Sequence, residues 1–300
     1  MTSHTKPSLL PICAVATGIA IYVVMDVLMK GLSIEFGVYN AMLWRSVLGA
    51  ALVAIPFFTI HASWPERAVL HLHIWRGVIV SLMAFLFFWG LVRVPLAEAV
   101  ALSFIAPLIA LYFAAVMLKE KIGPRSIIAS IVGFVGALII VSGNFGNEFS
   151  DDVFWGIAAI LFSALLYAYN LILQRKQALV AQPLEIAFFN HTVIATVYLL
   201  LAPFIADIPS LEAMPSLLAA TLCGIASMLL ISWAYGRAEA RVLIPLEYSA
   251  FIWAALLGWL VFSEALTVTT IVGTLLIVGG CLLVSRQKTD RVEHIEPTAV

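Results

Sequence analysis

Apolar residues run through this chain in blocks of about 20, and polar residues are confined to the short breaks between them. The breaks read KGLSIEFG, HASWPER, RVP, KEKIGPR, GNFGNEFSDD, QRKQALVAQP, DIPSLEAMP, GRAEAR and SEAL. A helix needs ~20 apolar residues to cross ~30 Å of hydrocarbon, so each block is predicted to be a spanning helix. Ten can be marked, at roughly 9–31, 36–60, 71–92, 95–118, 124–142, 153–173, 184–206, 214–236, 241–262 and 267–286. Pro95 and Pro124 stand where a helix can start, because the first turn has no use for their missing N–H. Residues 1–8 are short and polar, and the block after them runs on without an obvious cleavage site, so it is expected to stay as the first span. The polar tail, 287–300, is expected to lack structure.

Composition agrees with this pattern. Of the 300 residues, 63% are hydrophobic and 11% charged, with a mean hydropathy of +1.07. A soluble domain carries about 25% charged residues, and a chain with less than half that cannot cover a water-facing surface. Its net charge of −1 leaves no basic face for nucleic acid. Cys13, Cys223 and Cys281 lie far apart in apolar runs, with neither disulfide nor metal spacing. The chain contains no GxxxxGK, HExxH or GxSxG, so direct ATP hydrolysis and the common membrane proteases and hydrolases are not expected. No enzyme activity, cofactor or metal is read from it. His71 and His73 flank a leucine at what is predicted to be a cytoplasmic helix end, and the Asn190-His191-Thr192 sequon falls within a span. Neither is read as a site.

Charge orients the spans, since cytoplasmic loops collect Lys and Arg. With the N-terminus in the cytoplasm, 13 of the 16 cations fall inside: Lys6, Arg67, Arg76, Lys119, Lys121, Arg125, Arg175, Lys176, Arg237, Arg241, Arg286, Lys288 and Arg291. Only Lys30 and Arg93 fall outside, and Arg45 lies within a span. Both termini are therefore expected in the cytoplasm. The outside loops near Glu148–Asp152 and Asp207–Glu212 are acidic.

The chain also repeats itself. A shift of 144 residues brings Trp89 onto Trp233, Arg93 onto Arg237, Ala106 onto Ala250, Ala110 onto Ala254 and Glu120 onto Glu264, and Asp26 onto Asn170. With one residue of slip, Gly136 meets Gly279 and Ser142 meets Ser285. A duplicated unit of five spans explains this match. Five is odd, so the second copy enters the membrane inverted. The loop around Glu120 keeps its cations in the cytoplasm, and its external twin at Glu264 loses them. The predicted organisation is a cytoplasmic segment 1–8, a first five-helix repeat 9–142, an external linker 143–152, an inverted repeat 153–286 and a cytoplasmic tail 287–300. The fold class is thus all-α integral membrane. Inverted repeats are typical of secondary transporters, with a substrate site near the midplane between the halves.

AVALSFIAPLIALYFAAVMLKEK followed by IVGFVGALII places Pro107, Glu120, Gly133 and Gly136 in order. In these features the chain resembles the EamA branch of the drug/metabolite transporter superfamily: an apolar span with a proline, a glutamate at its end, then a glycine-bearing span. The second copy, VLIPLEYSAFIWAALLGWLVFSEALTVTTIVGTLLIVGG, keeps Glu264, Gly279 and Gly280 but has Phe251 at the proline's place and a proline at Pro245 instead. Members carry amino acids, sugars, nucleotide-like compounds and drugs. The resemblance implies a multi-pass secondary transporter of the bacterial inner membrane, monomeric or homodimeric. It implies small organic cargo, amino acids first, with export favoured. Uptake of a nucleoside- or vitamin-like metabolite is the alternative, and a membrane-embedded transferase a lesser one.

An ionisable group inside a span costs about 2.5–3.5 kcal/mol on insertion scales, so each is a functional candidate. Asp26 lies about a turn from the outer end of span one, with Tyr22 on the same face. Arg45 lies about nine residues into span two, ~13 Å deep. Arg45 is suited either to a substrate carboxylate or to a fixed pair with Asp26 or Glu98, and Asp26 or Glu247 to an ammonium or a proton. Glu98, at the start of span four, is expected to be solvated at the interface. His191 in span seven is suited to proton relay or to a helix–helix hydrogen bond. Among the aromatics, Tyr22, Trp44, Tyr248 and Trp253 are candidates to line a cavity. Ser163, Tyr167, Asn170 and Gln174 make a polar stripe on span six, which must face protein or water. Ala129, Gly133, Gly136 and Ala137, with Gly273, Gly279 and Gly280, are read as packing surfaces.

Overall fold

The computed structural model describes residues 9–60, 64–118, 124–143, 150–178, 180–235 and 246–285. The charged cluster at Glu120 and both ends of the chain lie outside these residues. The described residues are helical, with no strand among them. The helices are α1 (Leu9–Phe36), α2 (Val38–Ile60), α3 (Arg67–Leu91), α4 (Leu96–Ser103), α5 (Ala106–Leu118) and α6 (Pro124–Ser142). They continue as α7 (Asp151–Ala178), α8 (Pro183–Leu199), α9 (Ala202–Ile205), α10 (Met214–Tyr235), α11 (Ala250–Phe262) and α12 (Val268–Ser285). Five stretches, Leu9–Phe36, Val38–Ile60, Arg67–Leu91, Asp151–Gln174 and Met214–Ile231, are long and apolar enough to cross a membrane. Shorter apolar stretches cover Leu96–Ala110, Ser130–Ser142, Ala250–Phe262 and Val268–Gly280.

Three of the expected spans are interrupted, and backbone chemistry explains two of the breaks. Span four, expected as one helix over 95–118, splits into α4 and α5 at Phe104 and Ile105. Pro107 has no N–H to give the Ser103 carbonyl, and its ring crowds that turn. Tighter bonds replace the lost one: the Phe104 N–H goes to the Ala101 carbonyl, and the Ile105 N–H to that of Leu102. Pro203 acts in the same way between α8 and α9, where the Leu201 N–H turns to the Tyr198 carbonyl. The third break precedes α11, at Tyr248 and Ser249, the positions that the 144-residue repeat assigns to Phe104 and Ile105. Phe251 stands there instead of a proline, yet the chain still breaks, with the Ser249 N–H bonded to the Leu246 carbonyl. The rings of Phe104 and Tyr248 meet edge to face, 5.2 Å apart. The two repeat-related breaks thus touch each other.

Helix pairing follows the duplication. α1 packs on α10 and α3 on α7; α2 packs on α8, α4 on α11 and α6 on α12. Exchanging the halves turns the first pair into the second and leaves the α2–α8 and α6–α12 pairs unchanged. The halves are therefore joined by a self-complementary interface of the kind a two-fold axis produces. The segments expected outside also gather at one end of the bundle. Arg93 Nε bonds Asp152 Oδ1 at 2.8 Å, and Asn40 Nδ2 bonds Asp207 Oδ2 at 3.3 Å. Trp44 donates to the Asp207 carbonyl at the same end, at 2.8 Å.

α6 and α12 approach most closely where Gly136 meets Gly273. A Cβ added at Gly136 would stand 2.6 Å from the Gly273 carbonyl oxygen, a backbone atom that cannot turn aside. Gly133 leaves room for Leu108, whereas a Cβ at Gly279 would meet nothing within 4 Å. Gly136→Ala is expected to destabilise the protein by about 1–3 kcal/mol through overpacking, read as a lower melting temperature in detergent. Gly279→Ala is expected to leave that temperature unchanged.

Candidate functional site

The helices place three groups of polar side chains inside the bundle. The first lies where α1, α2, α8 and α10 converge. Asp26 and Arg45 are buried, at 2% and 9% exposure, and face each other within electrostatic range without forming an ion pair. Asp26 Oδ1, Arg45 Nε and His191 Nδ1 are occluded and have no hydrogen-bond partner among the described residues. Arg45 Nη1 reaches a weak acceptor, Met25 Sδ, at 3.8 Å. Two glycines make the space. A Cβ on Gly224 would stand 3.4 Å from Arg45 Nη1, and one on Gly49 would strike the His191 ring. Gly49 lies one turn along α2 from Arg45, so His191 and Arg45 occupy adjacent steps of one helix face. Tyr22 stands a turn from Asp26 on α1. It is 47% exposed, yet it has Asp26 and Arg45 on one side and Tyr167 of α7 on the other.

The second group links α3, α7 and α8. Arg76 Nε donates to Asn170 Oδ1 at 2.9 Å, and Arg76 Nη1 to Gln177 Oε1 at 2.5 Å. Gln177 Nε2 bonds His73 Nδ1, and His73 Nε2 meets Glu185 Oε1 at 2.8 Å. Phe189 stacks on the His73 ring at 4.6 Å. Each of the five polar side chains is buried and bonded to the next, which is how a membrane protein keeps polar groups inside. Tyr167 joins this group to the first, lying within electrostatic range of Arg76, Glu247 and Tyr22.

The third group lies at the end where α1 stops and α4 begins. Lys30 Nζ bonds Glu264 Oε1 and, at 2.8 Å, the Val94 carbonyl. Glu264 Oε2 accepts the Leu96 N–H at 2.7 Å. Beside it, Thr270 Oγ1 donates to Glu98 Oε1 at 3.2 Å.

Four expectations from the sequence are corrected here. Glu98 is not solvated but buried, at 4% exposure, where α4 packs on α12. His73 and Arg76, expected near the cytoplasmic end of span three, lie further into the helix than that. α3 begins at Arg67, so both lie inside the helix and are buried. Lys30, expected at the outer end of a span closing at 31, is buried well inside α1, which runs on to Phe36. Nor is Glu264 without a cation: Lys30 supplies one from the other repeat. The stripe on α7 faces protein at Ser163, bonded to the Met83 carbonyl at 2.7 Å, and at Asn170; Gln174 is exposed. Gln177, one step further along that stripe, was missed and takes the place expected for Gln174 in the hydrogen-bonded chain. Trp44 is tied to the Asp207 backbone, Tyr248 to Phe104 at the break, and Trp253 lies exposed on α11. The structure thus brings Tyr22, Asp26, Arg45, His191 and Tyr167 together, with Asn170 and Glu247 adjoining through Arg76 and Tyr167. Two shallow clefts, one beside Tyr39 and Arg93 and one beside Glu35 and Phe262, contain none of these residues. Among the described residues, no group of three or more His, Cys, Asp or Glu is placed to hold a metal ion.

Apolar helices in symmetric pairs, around a few buried charges left unmatched, are built for moving a polar solute through lipid. The match to known proteins agrees: the model of the EamA-like transporter family fits residues 9–142 and again 154–286. The chain belongs to the EamA-like transporter family, and it is a multi-span protein of the bacterial inner membrane. It is 27% identical over 268 residues to the pseudopaline exporter CntI of Pseudomonas aeruginosa, covering 88% of this chain and 92% of that one. It is 26% identical to the riboflavin transporter of Rhizobium johnstonii, over 81% of this chain and 79% of the relative. The S-adenosylmethionine uptake transporter of Rickettsia prowazekii is 22% identical, over 98% and 99% of the two chains. A crystal structure 20% identical in sequence shares the fold, with a TM-score of 0.60 over 89% of this chain and 97% of that one. These relatives are named as small-molecule transporters and not as enzymes.

Asp26 and Arg45 have no hydrogen bonds to lose of the kind that stabilise a fold. Asp26→Asn and Arg45→Met are therefore each expected to leave the melting temperature unchanged or raise it, by about 1–3 kcal/mol of relieved desolvation. Gln177→Leu strips partners from both Arg76 and His73 and is expected to lower it by a similar amount. Thermal unfolding of the purified variants checks both expectations.

Proposed function

We propose that this chain is a secondary transporter of small zwitterionic metabolites, amino acids first among them, and that it favours export. In this reading ten spans, with both termini in the cytoplasm, form two inverted five-helix repeats. These rock about the site between them to expose it to each side in turn. The observation that carries the reading is the Asp26–Arg45 arrangement: a buried carboxylate and a buried guanidinium, near each other but unpaired. A guanidinium is shaped for a carboxylate, and a carboxylate for an ammonium. A solute with both groups close together satisfies both side chains at once. Water or lipid leaves them costly. Tyr22 and Tyr167 offer ring faces to the remainder of such a solute.

A proton fits the same site when the solute is absent. Asp26 is in this reading the group that exchanges it, and His191, stacked against Gly49 beneath Arg45, is the nearest relay. The relative named for S-adenosylmethionine uptake favours a second reading, because that compound carries an amino-acid head on a nucleoside body. Uptake of a nucleoside-like metabolite with such a head would use Arg45 and Asp26 in the same way.

Counterflow in liposomes separates these readings. Unlabelled amino acids, one per batch, are loaded inside, and labelled tracer is followed from outside without an ion gradient. Accumulation is expected for some of them, and Arg45→Gln is expected to cut it about tenfold to a hundredfold, the loss of one charge-assisted contact. Asp26→Asn is expected to abolish gradient-driven transport while sparing exchange. If no amino acid gives accumulation and S-adenosylmethionine does, the second reading replaces the first.

A further inference from the structure

Along α1, Lys30 lies between the Asp26–Arg45 site and one end of the bundle. Tyr22, Asp26 and Lys30 follow at steps of four along α1, so they share one face of the helix. The Lys30 ammonium is the last charge on that face before the helix ends at Phe36. We propose that Lys30 and Glu264 are the external gate, an ion pair that must part before the central site can reach the outside. The proposal rests on the transport reading and on its placement of the α1 C-terminus outside.

The geometry supports a clasp between the halves. Lys30 belongs to the first repeat and Glu264 to the second, 234 residues apart, and their side chains are 6% and 16% exposed. The Glu264 carboxylate is shared. One oxygen takes the ammonium, and the other takes the Leu96 N–H at the first turn of α4. A single side chain from the second repeat therefore holds both α1 and α4 of the first. Lys30 is held in turn by the Val94 carbonyl, and it lies over the Phe262 ring at 5.1 Å. The backbone is shaped for this arrangement. Ser263 takes a left-handed conformation, φ 56°, which turns the chain out of α11 so that Glu264 folds back onto it. A Cβ at Gly258 would stand 2.7 Å from Glu264 Oε2, so only glycine leaves the carboxylate its place. Glu98, bonded to Thr270, is the other carboxylate that faces Lys30.

Relative motion of the two halves must break these bonds together, because Glu264 cannot follow both. The cost is that of separating a buried pair, and it weights the resting protein toward a closed outer end. The repeat does not encode the same device at the other end: the 144-residue shift carries Glu264 onto Glu120, but Lys30 onto the neutral Gln174. Lys30 and Glu264 never touch the cargo in this scheme. They position α1 and α4.

The test is accessibility of the central site from outside. In full-length protein with Cys13, Cys223 and Cys281 replaced by Ala, Tyr22→Cys is labelled on intact cells with a membrane-impermeant maleimide. Labelling is expected to be slow in this background. Glu264→Gln and Lys30→Met are each expected to speed it on the order of tenfold, as a minor open state becomes populated. Lys30→Arg keeps a cation for the carboxylate and is expected to restore slow labelling. Ala137→Cys, buried where α6 packs on α12, reports loss of the fold and is expected to stay unlabelled in every variant. Unchanged labelling in Glu264→Gln, or equal labelling in Lys30→Arg and Lys30→Met, overturns the gate. So does labelling of Ala137→Cys alongside Tyr22→Cys, which makes the pair merely structural. The readout needs no cargo, so failed counterflow in the parent protein counts against the transport reading alone.

Discussion

Hydrocarbon offers no hydrogen-bond partner, and the interior of this protein is organised by that fact. Every polar side chain carried into the bundle must be matched by another or left waiting at a measurable cost. Most are matched. Asn170, Arg76, Gln177, His73 and Glu185 form one bonded chain across three helices, and Lys30, Glu264 and the α4 N-terminus form another. Eight buried side-chain atoms of the described residues lack a partner, and the titratable groups among them are those of Asp26, Arg45 and His191. They lie together, and glycines of two different helices keep the space around them. The lipid environment thus separates side chains that hold the fold from side chains kept for something else.

The duplication has a second effect. Because the halves pair in a self-complementary way, their equivalent irregularities meet. The breaks at Phe104 and Tyr248 are in contact, one imposed by a proline and the other adopted without it. Phe251 in place of a proline puts no local bar on a continuous helix. The second break is held by its surroundings, which is tertiary packing overriding the local preference of the chain. Helices broken near the centre also bend more readily than continuous ones.

Much of this was legible in the residues themselves. Asp26 and Arg45 could be singled out because a charge in the middle of an apolar run has a large cost and little local explanation. The match of Trp89 to Trp233 and of Arg93 to Arg237 suggested the repeat, but both spans that it relates, 95–118 and 241–262, were expected as unbroken helices. What was not legible shares one cause: helix ends cannot be read from polarity alone. Lys30 opens the polar run KGLSIEFG and was counted among the outside charges at the end of a span closing at 31, but α1 continues six residues beyond it to Phe36. His73 and Arg76 follow the charged run HASWPER, and the helix beneath them already begins at Arg67. Glu98 follows a proline and was assigned to water. In each case the charge has a partner more than 100 residues away, and no local pattern announces such a partner.

The distance between Lys30 and Glu264 along the chain carries a consequence for how the protein is made. At roughly 5–20 residues per second, the ribosome delivers Glu264 on the order of ten to fifty seconds after Lys30. Throughout that interval α1 sits in the bilayer with an unmatched ammonium. Six residues separate it from the end of the helix, about 9 Å. A lysine stem can stretch toward the lipid headgroups over much of that depth. The nascent helix is therefore pinned by its lysine to the membrane surface at that end, and the ammonium is drawn inward only when the second half arrives. The residue that closes the finished protein first serves as its anchor during assembly.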